Sequence, residues 1–157
     1  MSIEIERKFL VTDDSYTAEA SAVFGLKQGY LSRDINRTVR VRTLEVKRSK
    51  TWDSFYRTAY ITVKGLTVGC SRPEFEYEVP YADGIAMLEL CDSKVIEKTR
   101  YVISKENCMW EVDEFHGTDQ GLVIAEIELT NETDQFELPS WVGKEVTGNI
   151  LYYNSNM

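Results

Sequence analysis

Residues 3 to 11 alternate with the two-residue rhythm of a strand, in which every second side chain points to the same face. Ile3, Ile5, Phe9 and Val11 share one face, and Glu4, Glu6 and Lys8 share the other. A single strand of this kind is an ordinary half-solvated one. Here the doubled charge recurs at Arg40/Arg42, at Thr62/Lys64, at Arg72/Glu74/Glu76, at Lys98/Arg100, at Glu111/Asp113 and at Glu126/Glu128. Independent solvated faces do not predict matching pairs in strand after strand. The joint pattern describes a sheet with one highly charged face, suited to a highly charged ligand.

Strand signals fall near 2–11, 25–32, 37–44, 58–64, 72–80, 94–104, 108–115 and 121–130. Residues 81–92 read as a short helix, with Ile85 and Leu88 on its apolar stripe. A second helix is expected within 13–23, and a short helix or turn at the start of 134–157, ahead of the aromatic pair Tyr152-Tyr153. The polar stretch 45–57 reads as a long hairpin connection and 65–71 as a tighter one with two glycines. No linker or repeat divides residues 1–157, so the expectation is one mainly β (α+β) domain.

Strands without a helix after each one point to an antiparallel meander rather than to βαβ units. Eight antiparallel strands can close into a barrel and leave no free edge. Most small barrels fill the lumen with apolar side chains. Buried dry, the charges counted above would each cost several kcal/mol. The expectation is therefore inverted: charges line a wet tunnel, and the apolar faces point outward under the helices and the tail.

The net charge of −8 and a pI near 4.8 oppose bulk attraction to nucleic acid or anionic membranes. They do not oppose phosphate, which local charge decides. Three cysteines without C-x-x-C spacing argue against a disulfide framework or a zinc site. A cytoplasmic location is expected, with no signal peptide and no long apolar run. P-loop, dinucleotide and serine-hydrolase glycine motifs are absent from the sequence. His116 reads as a turn residue, Trp52 and Trp110 as packing or rim residues, and Trp141 as packing the tail against the barrel.

Carboxylates at Glu4, Glu6, Glu74, Glu76, Glu111, Asp113, Glu126 and Glu128 suit a hard divalent ion such as Mg²⁺ or Mn²⁺. Cations at Lys8, Arg40, Arg42, Lys64, Arg72, Lys98 and Arg100 suit phosphate oxygens. Both kinds of group on one face fit a metal–polyphosphate substrate and phosphoryl transfer.

Glu4-Ile5-Glu6-Arg7-Lys8 resembles the E-x-E-x-K motif of the CYTH superfamily, the triphosphate tunnel metalloenzymes. The similarity continues in order through Gln28-Gly29-Tyr30-Leu31, Val39-Arg40-Val41-Arg42, Thr62-Val63-Lys64 and Ser71-Arg72-Pro73-Glu74-Phe75-Glu76. It runs on through Glu97-Lys98-Thr99-Arg100-Tyr101, Trp110-Glu111-Val112-Asp113, Ala125-Glu126-Ile127-Glu128 and Gly143-Lys144-Glu145-Val146-Thr147. It covers essentially the whole chain, and the compact bacterial inorganic triphosphatases are the members most similar to it.

The resemblance implies an eight-stranded antiparallel closed barrel, a divalent metal cofactor and a small-molecule triphosphate substrate; the acidic charge leaves neither nucleic acid nor membrane as an expected partner, and the expected assembly is a monomer or homodimer. It assigns Glu4, Glu6, Glu126 and Glu128 to metal, and Glu76 and Asp113 to a second ion. Arg40, Arg42, Lys64, Arg72, Lys98 and Arg100 would grip phosphates, and Lys8 with Tyr30 would form the catalytic pair. The implied reaction is hydrolysis of inorganic triphosphate to diphosphate and phosphate. Thiamine triphosphate hydrolysis and class IV adenylate cyclisation are the alternatives on the same scaffold, and a non-catalytic polyphosphate or nucleotide binder is the alternative from another class. The cyclases carry His-Phe ahead of the motif where this chain has Met-Ser-Ile, which favours the triphosphatase.

Overall fold

The structure is a computed structural model that describes residues 2–53, 55–92 and 94–157. Nine strands follow one another with two short α-helices between them: β1 (Ile3–Val11), α1 (Tyr16–Glu19), β2 (Ala22–Ser32), β3 (Arg37–Ser49), β4 (Arg57–Gly65), β5 (Ser71–Val79), α2 (Tyr81–Leu90), β6 (Ile96–Lys105), β7 (Cys108–Phe115), β8 (Val123–Glu128) and β9 (Val142–Glu145). The sheet runs β5-β4-β3-β2-β6-β7-β8-β1-β9, and a further pairing of β1 with β5 closes the first eight strands into a barrel. Every pairing is antiparallel. Strand β9 lies beside the C-terminal half of β1, on the edge whose N-terminal half pairs with β5.

The register puts the charged positions on one face. Glu4 stands opposite Arg72, Lys8 opposite Glu126, Thr62 opposite Glu76, Lys64 opposite Glu74, and Arg100 opposite Asp113. The apolar alternates point outward, where Phe9, Ile103, Trp110, Val112, Ala125 and Ile127 form the main core with Tyr16 and Trp141. That core lies between the barrel wall and a cover made of α1 and the segment before β9. Trp110 and Trp141 meet edge to face at 5.5 Å. Inverting the usual barrel is possible because the covering layer buries most of the apolar area, while a smaller cluster of Tyr30, Ile96, Phe115 and Ile124 packs in the inward phase against Tyr152 and Met157 of the tail.

On the other side α2 lies across β3 and β4, and Gly84 lets it come close. A Cβ built at Gly84 would sit 2.4 Å from that of Ala59. The β6–β7 hairpin turns through Glu106 (φ 53°) and Asn107 (φ 61°), the pair of positive angles that a tight two-residue turn needs.

Several expected boundaries move. Strand β3 runs on to Ser49, so the connection thought to begin at 45 spans only 50–56. There the strand stays paired with β2, and its polarity reflects the solvent-exposed side chains of Lys47 and Arg48 while Val46 is buried. The helix expected within 13–23 is four residues long, because β2 already begins at Ala22. The stretch from 134 onward contains no α-helix among its described residues: it forms β9 and two 3-10 turns, Ile150–Tyr152 and Asn154–Asn156. Pro139 and Gly143 interrupt it, and tertiary pairing with β1 captures what remains.

Candidate functional site: a charged tunnel

The lumen is a cavity lined by Glu6, Lys8, Tyr30, Arg40, Arg42, Lys64, Arg72, Lys98, Arg100 and Glu126, with Thr38 beside them and Tyr153, Asn154 and Ser155 closing one end. Among the residues expected from the sequence, both members of the proposed catalytic pair and all six phosphate-binding positions line it. Glu4 is buried at its edge, and Asp113 is buried against Lys98 and Arg100. Glu76 and Glu128 sit in the same phase but are exposed, at the mouth.

The tunnel is graded. Towards the mouth, carboxylates crowd one another. Burial, then the nearby Glu126 charge, pushes Glu6 up to about 8, with Lys8 opposing and Glu4 adding to the rise. Burial and the proximity of Glu4 push Glu74 up to about 7. Burial, then Glu4 and Glu111, also raises Glu128. Glu4 itself is held well below the usual carboxylate range: burial raises it, but Lys64 and Arg72 together with a hydrogen bond shared with Glu74 overcome that. Lys64 Nζ lies 2.9 Å and Arg72 Nε 3.0 Å from the Glu4 carboxylate.

Deeper in, cations dominate. Burial and then the charges of Arg40 and Arg100 bring Arg42 down to about 9. Burial brings Lys98 down to about 7; Asp113 resists the fall, and Arg100 and Arg42 add to it. Asp113 stays ionised because Arg100 and Lys98 outweigh its burial. Arg100 grips it with Nε at 2.8 Å and a second nitrogen at 2.9 Å, while Lys98 Nζ approaches to 2.7 Å. Lys8 is held protonated: burial opposes the charge, but Glu126 at 3.2 Å and Glu6 at 3.9 Å prevail.

One donor is unused. Arg40 Nε is buried without a hydrogen-bond partner, the only such side-chain atom among the described residues. Buried polar groups are nearly always satisfied. An unsatisfied guanidinium nitrogen beside Arg42, which has no carboxylate partner among the described residues, fits a phosphate oxygen.

The carboxylate set fits a hard cation. Glu4, Glu6, Glu74, Glu126 and Glu128 offer oxygen ligands only, and their mutual crowding is what a divalent ion would relieve. Among the described residues no three His, Cys, Asp or Glu side chains already converge on one point. Glu4 and Glu126 are instead paired with Lys64, Arg72 and Lys8, so metal and phosphate together would exchange these internal pairs for external ones.

Some neighbours carried no assigned role in the sequence. Gln28, fully buried, accepts from Arg42 Nε at 3.1 Å and donates to Asn154 at 3.2 Å. Thr62, also fully buried, donates to Glu76 at 2.7 Å and accepts from Arg40 at 3.2 Å. Thr62 shares the phase of Lys64 and Gln28 that of Tyr30 on their own strands, which is the signal that could have found them. Asn154 accepts from Lys98 at 3.0 Å, and Tyr153 lies under Lys8 at 5.7 Å. No periodicity in the tail announces that arrangement. His116, exposed, meets Thr99 at 2.7 Å outside the barrel.

A closed antiparallel barrel with opposed acidic and basic groups in its lumen defines a polyanion-binding tunnel. The chain belongs to the CYTH family, whose domain model matches residues 2–156. It is 46% identical over 158 residues to an inorganic triphosphatase of Acetivibrio thermocellus, covering 100% of this chain and 94% of the relative. Among solved structures it is similar to the inorganic triphosphatase NE1496, with a TM-score of 0.62, 26% identity, and coverage of 99% of this chain and 94% of that one. A Pyrococcus furiosus protein shares the fold at TM-score 0.57 and 19% identity, over 83% of this chain and 80% of the other.

Proposed function

We propose that the protein is an enzyme that hydrolyses inorganic triphosphate to diphosphate and orthophosphate in this tunnel, with Mg²⁺ or Mn²⁺ as cofactor. The reading rests on Arg42, buried among other cations without a carboxylate partner among the described residues, on the unpartnered Arg40 Nε, and on the 46% identity to a protein named for this activity. A phosphate chain supplies the anion that Arg42, bonded to the neutral Gln28, lacks. Arg40, Arg42, Lys64, Arg72, Lys98 and Arg100 would neutralise its oxygens, with the arginines binding in forked fashion.

Glu4, Glu6, Glu126 and Glu128 would hold the metal, and Glu76 stands close enough to the mouth to join a second ion. For Asp113 the contacts favour another task. Both its oxygens are taken by Arg100 and Lys98, so it orients phosphate-binding cations. Bound among the carboxylates, a divalent ion would neutralise phosphate oxygens and withdraw electrons from phosphorus.

Lys8, fixed as an ammonium by Glu126 and Glu6, cannot serve as a base. It donates to a non-bridging oxygen and stabilises the charge that grows there during in-line attack by water. The Tyr30 hydroxyl assists in positioning that water. No helix among the described residues is long and apolar enough to cross a membrane. We place the protein in the cytoplasm, as a monomer or homodimer acting on a small molecule.

Phosphate release from triphosphate, longer polyphosphates, thiamine triphosphate, ATP and diphosphate tests the reading, each with Mg²⁺, Mn²⁺ and a chelator. Metal-stimulated release from triphosphate is expected. Tight triphosphate binding without any product would leave only a binding module. Lys8→Ala should lower kcat more than it raises KM, and Arg40→Ala should raise KM as well; full turnover in Lys8→Ala removes Lys8 from the mechanism.

A further inference from the structure

The barrel wall has one seam, and it lies beside Lys8. Along one edge β1 pairs with β5 at Ile3 to Ile5 and with β9 from Phe9 onward. Between them the strand has no continuous partner. Glu6 N donates to the Cys70 carbonyl at 3.1 Å, and Val146 N donates to the Lys8 carbonyl at 2.8 Å. The Lys8 amide leaves the ladder altogether and donates to Thr147 Oγ at 2.9 Å. A side chain substitutes for a strand at Lys8, whose ammonium lines the tunnel.

A side cavity of about 20 Å³ occupies this seam. Glu6, Lys8, Arg72 and Tyr153 line both it and the tunnel, so the two adjoin. Thr67, Cys70, Thr147 and Gly148 form its outer rim, with Gly148 exposed to solvent. The rim is pinned from outside. Glu132 accepts from the Cys70 amide at 3.3 Å and from Ser71 Oγ at 2.8 Å, and Glu145 accepts from Thr147 at 2.7 Å. A water needs roughly 10–15 Å³ of such space and two or more polar partners. The seam has room for one water and none for orthophosphate.

Resting on the triphosphatase reading, we propose that this seam is a water port: it seats the water that attacks the terminal phosphorus and refills from solvent while the phosphate chain fills the tunnel. The water oxygen forms the new bond to phosphorus and the bond from phosphorus to the bridging oxygen breaks. Diphosphate leaves, one proton stays on the new orthophosphate hydroxyl, and the other passes through the port to solvent. Glu6 and Lys8 are the groups that hold the seated water on the tunnel side.

Plugging the rim tests this. In Cys91→Ser/Cys108→Ser protein, Cys70 is modified with a methyl and then a benzyl methanethiosulfonate. Thr67→Ser and Thr67→Trp provide a second route to the same cavity. The benzyl adduct and Thr67→Trp are expected to lower kcat ten-fold or more with KM within two-fold, while the methyl adduct and Thr67→Ser stay within two-fold in both. Dithiothreitol should restore the labelled enzyme. Full kcat in both plugged forms overturns the port, and so does a raised KM at unchanged kcat, which would make the seam a substrate path. An unmodified protein that releases no phosphate from triphosphate sinks the activity and the port together; an active one indifferent to both plugs sinks the port alone.

Discussion

Asp113→Asn separates the cation-holding role of this carboxylate from a purely packing one. At 2.7 Å and an effective dielectric of about 20, its attraction to Lys98 is about 6 kcal/mol. Lys98 does not lose all of this, because burial already holds its ammonium at about 7 and it can shed its proton instead. Arg100 has no such escape and keeps only Glu111 at 2.8 Å. Removing one partner of a buried pair costs about 3–5 kcal/mol. Since asparagine keeps the shape and one acceptor, the lower end applies, about 3 kcal/mol at pH 8, where Lys98 is neutral in both proteins.

Below pH 7 a second cost appears. The parent binds a proton at Lys98 and the variant does not, so the gap widens by about 1.4 kcal/mol for each pH unit until the variant's lower pKa is reached. A depressed lysine pKa makes folding release a proton, so stability is lost as pH falls, and more so in the variant. Asp113 itself is ionised throughout this range. Urea unfolding at pH 8 and pH 6 should therefore give losses near 3 and above 4 kcal/mol. Equal losses at the two pH values, or losses under about 1 kcal/mol at both, would refute the account of Lys98 and Arg100 as cations that depend on Asp113.

Glu6, raised to about 8, and Glu74, raised to about 7, carry protons near pH 6.5 that a divalent ion must displace. Mg²⁺ or Mn²⁺ binding should release protons and tighten up to about pH 8; the contribution of Glu6 to metal-free stability is present below 4.5 and lost as pH rises through 8. Calorimetry in buffers of different ionisation heat checks this, and zero proton release at pH 6.5 would contradict it. Trp141→Ala removes a fully buried indole packed on Trp110 and Tyr16 outside the barrel. It should cost about 3–5 kcal/mol in urea unfolding while phosphate release by the folded fraction is unchanged. Gly84→Ala should cost roughly 1–3 kcal/mol through its 2.4 Å clash with Ala59. Pairing it with Ala59→Gly should recover much of that, and strict additivity would mean that α2 does not pack as described.

Much of this was legible in the sequence because a strand has a period of two. Once Glu4, Glu6 and Lys8 alternate with Ile3, Ile5 and Phe9, no register within that strand can bury both sets on one side. Repeated over the other strands, the alternation fixes which residues share a face. It also fixes that the face is charged, and it requires the apolar face to find cover. Helix ends and strand ends were less legible. At 45–49 mostly polar, partly exposed side chains hide a strand that the ladder with β2 holds, and at 13–23 the few helical residues yield to the ladder of β2 with β3 and β6.

The amino-acid order by itself determined the inside-out barrel and the set of acids and bases that share its lumen, because both follow from local periodicity. Only the tertiary structure decided how those groups pair. It alone shows Asp113 committed to Arg100 and Lys98, Arg40 Nε left without a partner, and Asn154 reaching from the tail to Lys98. It alone leaves a gap in the wall where β1 passes from β5 to β9. Such pairings join residues up to more than a hundred positions apart and depend on ångström-scale distances, about which a two-residue rhythm carries no information.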